Sequence, residues 1–310
     1  MGGFKLANAL SIEWHGCDGS VWHVCGDNIE EEGVFLLPNI AAMIDAPITT
    51  QWVKGPFGEK YEGFQVQNRK PVLGFRIRGE TPADFRDIDS RFRKSWDYEN
   101  EGFMRVITDD GVRDLYMRLF EQPDAYGGDA SLGGGYDPHY LSDSQVVINA
   151  ACENPFYVGS TITQDHDMSG SGTWTPMIQN DGDQDMWLKY TILSNGNSLQ
   201  VTLPDYSWGS EEFGRSVEDA ARTVPVPKSG GLRAGEHIDV DSDPQEELIV
   251  SDLDTNPWAR MGGNTLLYPV PRWTDPTPVT ISWTGAAAGD KIRVTYTPMY
   301  SRPFGSSRDA

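Results

Sequence analysis

The side chains able to do chemistry are scattered along the chain. Five histidines stand at positions 15, 23, 139, 166 and 237, none at the helical spacing of a zinc protease. No Gly-x-Ser-x-Gly elbow presents a serine nucleophile. Gly55 to Lys60 has the glycines and lysine of a phosphate loop, but Tyr61 stands where serine or threonine is required. The stretch from Gly127 to Gly135 has no lysine, so both stretches read as plain loops. The three cysteines, Cys17, Cys25 and Cys152, fit thiols that pack in a reducing compartment. Cys17 and Cys25 flanked by His15 and His23 match no standard zinc spacing, and a disulfide across a hairpin is the minority alternative.

Three acidic clusters offer oxygens to a hard cation: Asp165-His166-Asp167, Asp181 to Asp185, and Asp239 to Asp243. Calcium takes six to eight oxygen ligands. The second cluster opens like a calcium loop, but its glycine comes too early and no glutamate closes it. Turn chemistry accounts for all three, since Asp and Gly dominate turns. No carboxylate pair stands out for glycoside hydrolysis. Trp174, Trp187, Trp208, Trp258, Trp273 and Trp283 could form a sugar-stacking platform, but core packing is the commoner fate of tryptophan on strands. The reading is therefore of a protein without catalytic residues, cofactor or metal.

The elements that carry these residues are mainly β. The chain has 310 residues, 33 of them Gly and 20 Pro, with 11% aromatics. Frequent turn-formers between short β-rich runs predict sandwiches or barrels. Leu10 to Trp14 and Gly19 to Val24 form a hairpin about Asp18-Gly19. Gly33 to Leu37 and Ile48 to Val53 read as strands, the second broken by Gly55-Pro56-Phe57-Gly58. In Val72 to Arg78, Leu73, Phe75 and Ile77 share one face. One helix is expected over about 82–96. Thr81 caps it, Pro82 opens it, and Phe85, Ile88, Phe92 and Trp96 recur along one face. Phe103 to Thr108 and Val112 to Phe120 form a hairpin around Asp109-Asp110-Gly111, and Val146 to Ala151 is a further strand after a glycine-rich loop. Beyond Pro155 come more strand pairs, with turns expected at Gly170 to Gly172 and at Gly285 to Gly289. The expected domains are 1–155 and 156–310.

Charge narrows the partners. With 46 acidic and 25 basic residues the formal net charge is −21. Phosphate backbones and anionic membrane surfaces repel such a chain, so neither stable nucleic-acid binding nor membrane insertion is expected. No apolar run approaches the roughly 20 residues needed to span a bilayer, and the first residues do not read as a secretory signal.

Two sets of motifs carry a family resemblance. In the first half, Trp14-His15-Gly16-Cys17-Asp18-Gly19-Ser20-Val21-Trp22 precedes Gly33-Val34-Phe35-Leu36-Leu37. Leu73 to Arg78, the helix, and Phe103 to Asp110 running into Gly111-Val112-Arg113 follow in order. In the second half come Ile178-Gln179-Asn180-Asp181-Gly182-Asp183, then His237 to Pro244, then Val294 to Pro303 with Tyr296, Tyr300 and Arg302. This succession resembles the distal tail protein of long-tailed phages, and above all the minor tail proteins of phages infecting actinobacteria. The chain departs from the pattern at Ser242, in the long loop from Pro123 to Pro138, and in the polar segment from Ser207 to Arg233.

The resemblance implies an N-terminal domain that oligomerises into a hexameric ring below the tail tube. It also implies a C-terminal β-sandwich of galectin-like or carbohydrate-binding type. Its partners would be further copies of itself, the tail tube protein, the tail-tip hub and other minor tail proteins, with a host-surface glycan as a further possibility. Its place would be the tail tip of the virion, after synthesis and assembly in the host cytoplasm. Candidate ring-forming elements are the first hairpin and the helix. On them Trp14, Trp22, Phe85, Phe92, Arg91 and Arg93 are the candidate interface residues. Arg76, Arg78, Arg91, Arg93 and Lys94, the densest basic group, would face acidic residues of neighbours. The alternative is a carbohydrate-binding adhesin, or a non-catalytic module of a cell-wall-binding tail protein, with a row of exposed aromatics.

Overall fold

The computed structural model describes residues 10–26, 32–38, 40–124 and 137–305. The chain divides into two units. The first runs to Gly159 and takes back the segment from Tyr300, while the second spans Ser160–Met299. The division thus falls a few residues beyond 155, and the first unit is discontinuous.

The first unit contains β1 (Ser11–His15), β2 (Val21–Cys25), β3 (Val34–Leu36), α1 (Ala41–Ile44), β4 (Ile48–Lys54), β5 (Glu59–Val66), β6 (Val72–Arg78) and α2 (Pro82–Lys94). It continues with β7 (Gly102–Thr108), β8 (Gly111–Leu119), α3 (Pro138–Leu141), β9 (Asp143–Ala151) and β10 (Tyr157–Val158). The main sheet runs β2-β1-β7-β8-β9-β6-β3, with antiparallel neighbours. Alternation decides its inner face: Leu73, Phe75 and Ile77 are buried, while Val72, Arg76 and Arg78 are exposed.

Helix α2 packs on that inner face. Its start follows from the sequence: the Thr81 hydroxyl accepts the Asp84 N–H (3.2 Å), and the Asp84 carboxylate accepts the Glu80 N–H (2.8 Å). Ser95 ends it, with its Oγ donating to the Phe92 carbonyl (2.7 Å). Phe85, Ile88 and Phe92 are buried, and Trp96 just beyond stacks on Trp14 with ring centroids 3.6 Å apart. Each such side chain contributes about 1.5–3 kcal/mol by leaving water. Gly102 permits this packing, because a Cβ there would lie 2.5 Å from the Trp14 ring.

The second unit contains β11 (Ile162–Trp174), β12 (Met177–Asn180), β13 (Lys189–Leu193), β14 (Gln200–Pro204), β15 (Thr223–Val226), β16 (Ile238–Asp241) and β17 (Ile249–Ser251). Then come α4 (Trp258–Met261), β18 (Thr274–Pro278) and β19 (Ile281–Tyr296). The larger sheet runs β15-β14-β19-β13-β16-β17, with β11 also on β19, and β12 pairs β18 in a second sheet. The expected turns at Gly170 to Gly172 and Gly285 to Gly289 are absent. Both stretches lie inside the long antiparallel strands β11 and β19. Positive φ at Gly170 (55°), Gly285 (73°) and Gly289 (89°) goes into bulges that shift the register instead of reversing the chain.

The last strand, β20 (Met299–Tyr300), pairs β10 where the chain re-enters the first unit. Two buried arginines hold that crossing. Arg69 donates to the carbonyls of Met43 (2.6 Å), Ala42 (3.3 Å), Pro155 (2.9 Å) and Ser301 (2.9 Å). The Arg113 guanidinium lies 3.8 Å from the Tyr300 ring centroid and donates to the Arg302 carbonyl (2.8 Å).

The mainly β class is as expected, with α2 where the 82–96 helix was read. Three one-turn helices accompany it among the described residues. The expected loop at residues 125–136 lies outside the described residues.

Candidate assembly surface

Four of the six expected interface residues are core. Trp14, Trp22, Phe85 and Phe92 are each at most 2% exposed, packed between the main sheet and α2. They cannot meet a neighbour, because periodicity marks the buried face of an element whatever buries it. Arg91 and Arg93 flank the buried face of α2, paired one turn back with Asp87 (2.8 Å) and Asp89 (3.0 Å), and the Arg91 guanidinium lies 5.4 Å from the Trp22 ring centroid. Arg76 likewise pairs Asp143 across the sheet. The exposed pair of Arg91 with Asp87 is worth about 0.2–1 kcal/mol.

The uncovered apolar surface is elsewhere, on the β4–β5 hairpin. Among the described residues these strands pair only with each other. Register places Ile48 opposite Val66, Thr50 opposite Phe64, and Trp52 opposite Tyr61, so these residues share one face. The Trp52 and Tyr61 rings meet edge-on at 5.3 Å. The other face carries Thr49, Gln51, Val53, Lys60 and Gln65. Ile48, Trp52, Tyr61 and Phe64 are all about half exposed, and Phe57 at the tip is fully exposed. A lone two-stranded hairpin is marginal in water, so an apolar face left open on one calls for a cover.

A groove lies between the edge strand β3 and the start of α2. Its volume is about 1110 Å³, and its lining includes Phe35, Ile88, Tyr140 and Leu141. Tyr140 is 81% exposed. Arg78, Glu80, Asp84 and Arg91 line it too, with Arg78 and Glu80 exposed.

The remaining chemical candidates dissolve into local structure. His15 and His23 contact Glu13, and His23 also contacts Glu32 (2.8 Å). Cys17 and Cys25 are free thiols, and burial pushes both pKa values up, away from reactivity. Asp165 pairs Arg293 (2.7 Å), Asp167 pairs Lys291 (3.1 Å) and Asp241 pairs Lys189 (2.6 Å), all across strands. Asp181 and Asp185 accept local hydrogen bonds from Gln179 (3.0 Å) and the Arg272 N–H (3.1 Å). Among the described residues no three His, Cys, Asp or Glu side chains converge on a metal position. The six tryptophans of the second unit differ in fate. Trp283 is buried, Trp174, Trp187 and Trp208 are half-buried, and Trp258 and Trp273 are about half exposed. Among the described residues no helix is long and apolar enough to cross a membrane.

No family model matches the chain. It is 25% identical to minor tail protein Gp27 of Mycobacterium phage D29, over 95% of this chain and 98% of that protein. Identity to minor tail protein Gp27 of Mycobacterium phage L5 is 24%, with the same coverage. Among solved structures, the SPP1 Dit (gp 19.1) protein matches with a TM-score of 0.57 at 11% identity. That match covers 94% of this chain and 99% of the Dit chain, and the protein is described as a paradigm of the hub adsorption apparatus in phages infecting Gram-positive hosts. A chain of the phage P2 baseplate in its activated conformation with calcium matches with a TM-score of 0.51 at 8% identity, over 93% and 98% of the two chains.

Both comparisons point to the phage tail: the sequence relatives are minor tail proteins, and the fold is that of a Dit protein. The resemblance read from the motifs holds: the chain is a relative of mycobacteriophage minor tail protein Gp27 with a Dit-like fold.

Proposed function

We propose that the chain is a distal tail adaptor: a ring, of six copies as the resemblance implies, that joins the tail tube to the baseplate or tail fibre. The first unit carries the self-association. The observation that supports this is the β4–β5 hairpin, whose apolar face is left open by the described residues of its own chain. The tail tube protein, the tail-tip hub and other minor tail proteins are its partners, and assembly takes place in the host cytoplasm. It performs no hydrolysis of its own, since neither a nucleophile elbow nor a distinguishable carboxylate pair is present in the sequence.

A second reading, glycan binding by the second unit, is favoured by Trp273. This half-exposed ring sits 5.4 Å from the Arg272 guanidinium, an arrangement suited to stacking a sugar and bonding its hydroxyls. Light scattering of the purified chain at two salt concentrations separates the readings. A mass that is a fixed multiple of 34.4 kDa at both salts is expected of the adaptor. A monomer at all concentrations, with retention on host cell-wall glycan, would favour the binding module.

A further inference from the structure

We infer that Asn195 is a site of spontaneous covalent modification, converted to aspartate and isoaspartate by attack of the Gly196 backbone nitrogen. The site lies in the second unit and stands apart from ring formation. Asn195-Gly196 is the one Asn-Gly step in the chain, and it sits in the connection from β13 to β14. The Asn195 side chain is exposed and its amide makes no hydrogen bond among the described residues. The Gly196 N–H is equally unengaged there. Asn180 shows the opposite arrangement. It is fully buried, and its amide donates to the carbonyls of Gln184 (2.8 Å), Val270 (3.2 Å) and Pro271 (3.1 Å), which hold it in place.

Packing imposes the glycine. A Cβ at residue 196 would lie 2.6 Å from the Ala287 Cβ on β19, so no larger residue fits without moving that strand. The same lack of a side chain leaves the Gly196 nitrogen uncrowded as it approaches the Asn195 side-chain carbon.

Water is the only co-reactant. A water or hydroxide takes the Gly196 N–H proton, and the nitrogen bonds to the Asn195 Cγ. The bond from Cγ to the side-chain nitrogen breaks, and that nitrogen leaves with a proton as ammonia. Water then opens the cyclic imide at either carbonyl. One opening restores the ordinary backbone with an aspartate; the other leaves the main chain running through the side chain as isoaspartate.

Both products bear on Asp290. This fully buried carboxylate accepts the Asn195 N–H (2.7 Å) and the Ala287 N–H (2.8 Å), and so ties the turn to β19. Either product puts a negative charge on the residue whose N–H that carboxylate holds, and like charges repel. Isoaspartate also adds a methylene to the main chain between two fixed points, the Asn195 N–H on Asp290 and the Gly196 α-carbon against Ala287. The tie is lost and the β13–β14 turn opens.

The test ages the purified full chain at pH 7 and pH 9 and maps it by tryptic digestion and tandem mass spectrometry. Mass is the readout, because isomerisation at Asp18-Gly19, Asp110-Gly111 or Asp181-Gly182 leaves it unchanged. Exchange of the Asn195 amide for a carboxylate adds about one dalton. Conversion at Asn195 should be at least tenfold faster than at Asn197, which lies in the same tryptic peptide and precedes Ser198, and faster at pH 9 than at pH 7. Hydrogen exchange in β13, β14 and the turn should quicken in the aged wild type and stay at its fresh level in Asn195→Ser aged in parallel. Conversion at Asn195 no faster than at Asn197, or unaffected by pH, would overturn the site. Conversion without quickened exchange would overturn the opening of the turn.

Discussion

The two units bury opposite charges. In the first, the most deeply buried ions are arginines, Arg69 at 1% and Arg113 at 2% exposure, bonded to backbone carbonyls. In the second they are carboxylates: Asp205, Asp219, Glu236 and Asp290. Glu236 faces Arg260 and Thr255 and accepts the Arg233 N–H (2.8 Å). Asp290 accepts the N–H groups of Asn195 (2.7 Å) and Ala287 (2.8 Å). The guanidiniums tie chain passages together and stay charged at any working pH. The carboxylates fasten loops to the sheet, and Glu236 and Asp219 among them are held charged by partners whose grip acid loosens. The most deeply buried ions of the first unit are therefore indifferent to acid, whereas Glu236 and Asp219 of the second are not.

The strongest way to break this contrast is Arg260→Met. It strands the Glu236 carboxylate in a buried site, and losing one partner of such a pair costs about 3–5 kcal/mol. Hydrogen exchange under urea should show the loss in peptides of the second unit, with those of the first unchanged. Adding Glu236→Gln should recover part of it.

Arg69→Met comes next. It removes the guanidinium from the carbonyls of Ala42, Met43, Pro155 and Ser301, of which Met43 keeps the Tyr157 hydroxyl (2.8 Å), at about 2–3 kcal/mol in all. The loss should appear in the first unit and be the same at pH 7 and pH 4. A loss that changes with pH would contradict the carbonyl-only role.

Acid itself should produce the smallest change. Burial pushes the Glu236 pKa up, but the Arg260 guanidinium, the Arg233 N–H and the Thr255 hydroxyl outweigh it and hold the group at about 2 against an ordinary 4.5. Asp219 is also held low, by Arg215 first and the Tyr268 hydroxyl second. A depressed pKa means stability that is complete above the ordinary value and disappears as pH falls through the folded value. The second unit should thus weaken between about pH 4.5 and pH 2, and Glu236→Gln should flatten that slope. Thermal unfolding followed by exchange at pH 7, 4 and 3 reads it directly.

Much of the first unit was legible because its signals are local. The Thr81 cap, Pro82 and the Phe85-Ile88-Phe92 spacing place α2 within two residues of its end, and alternation in Val72 to Arg78 sorts the faces of β6. The second strand of the β4–β5 hairpin was missed. A bulge beside Gly63 breaks its alternation, so Tyr61, Phe64 and Val66 follow no simple period. Glycine runs misled at β11 and β19, since positive φ serves a bulge as well as a turn. The interface residues failed for a related reason: an apolar stripe reports burial and cannot say whether the cover is the same chain or another. Nothing local marks Arg69 as buried either, because its acceptors are backbone carbonyls brought from three distant stretches.

The return of the chain at Tyr300 also orders events on the ribosome. Arg69 and Arg113 wait for Ser301, Tyr300 and Arg302, which are made more than 180 residues after Arg113. The second unit, continuous from Ser160 to Met299, has all its strands before that moment. A nascent or prematurely released chain therefore has an unfinished first unit, and only a chain translated past Arg302 has the clasp that completes it.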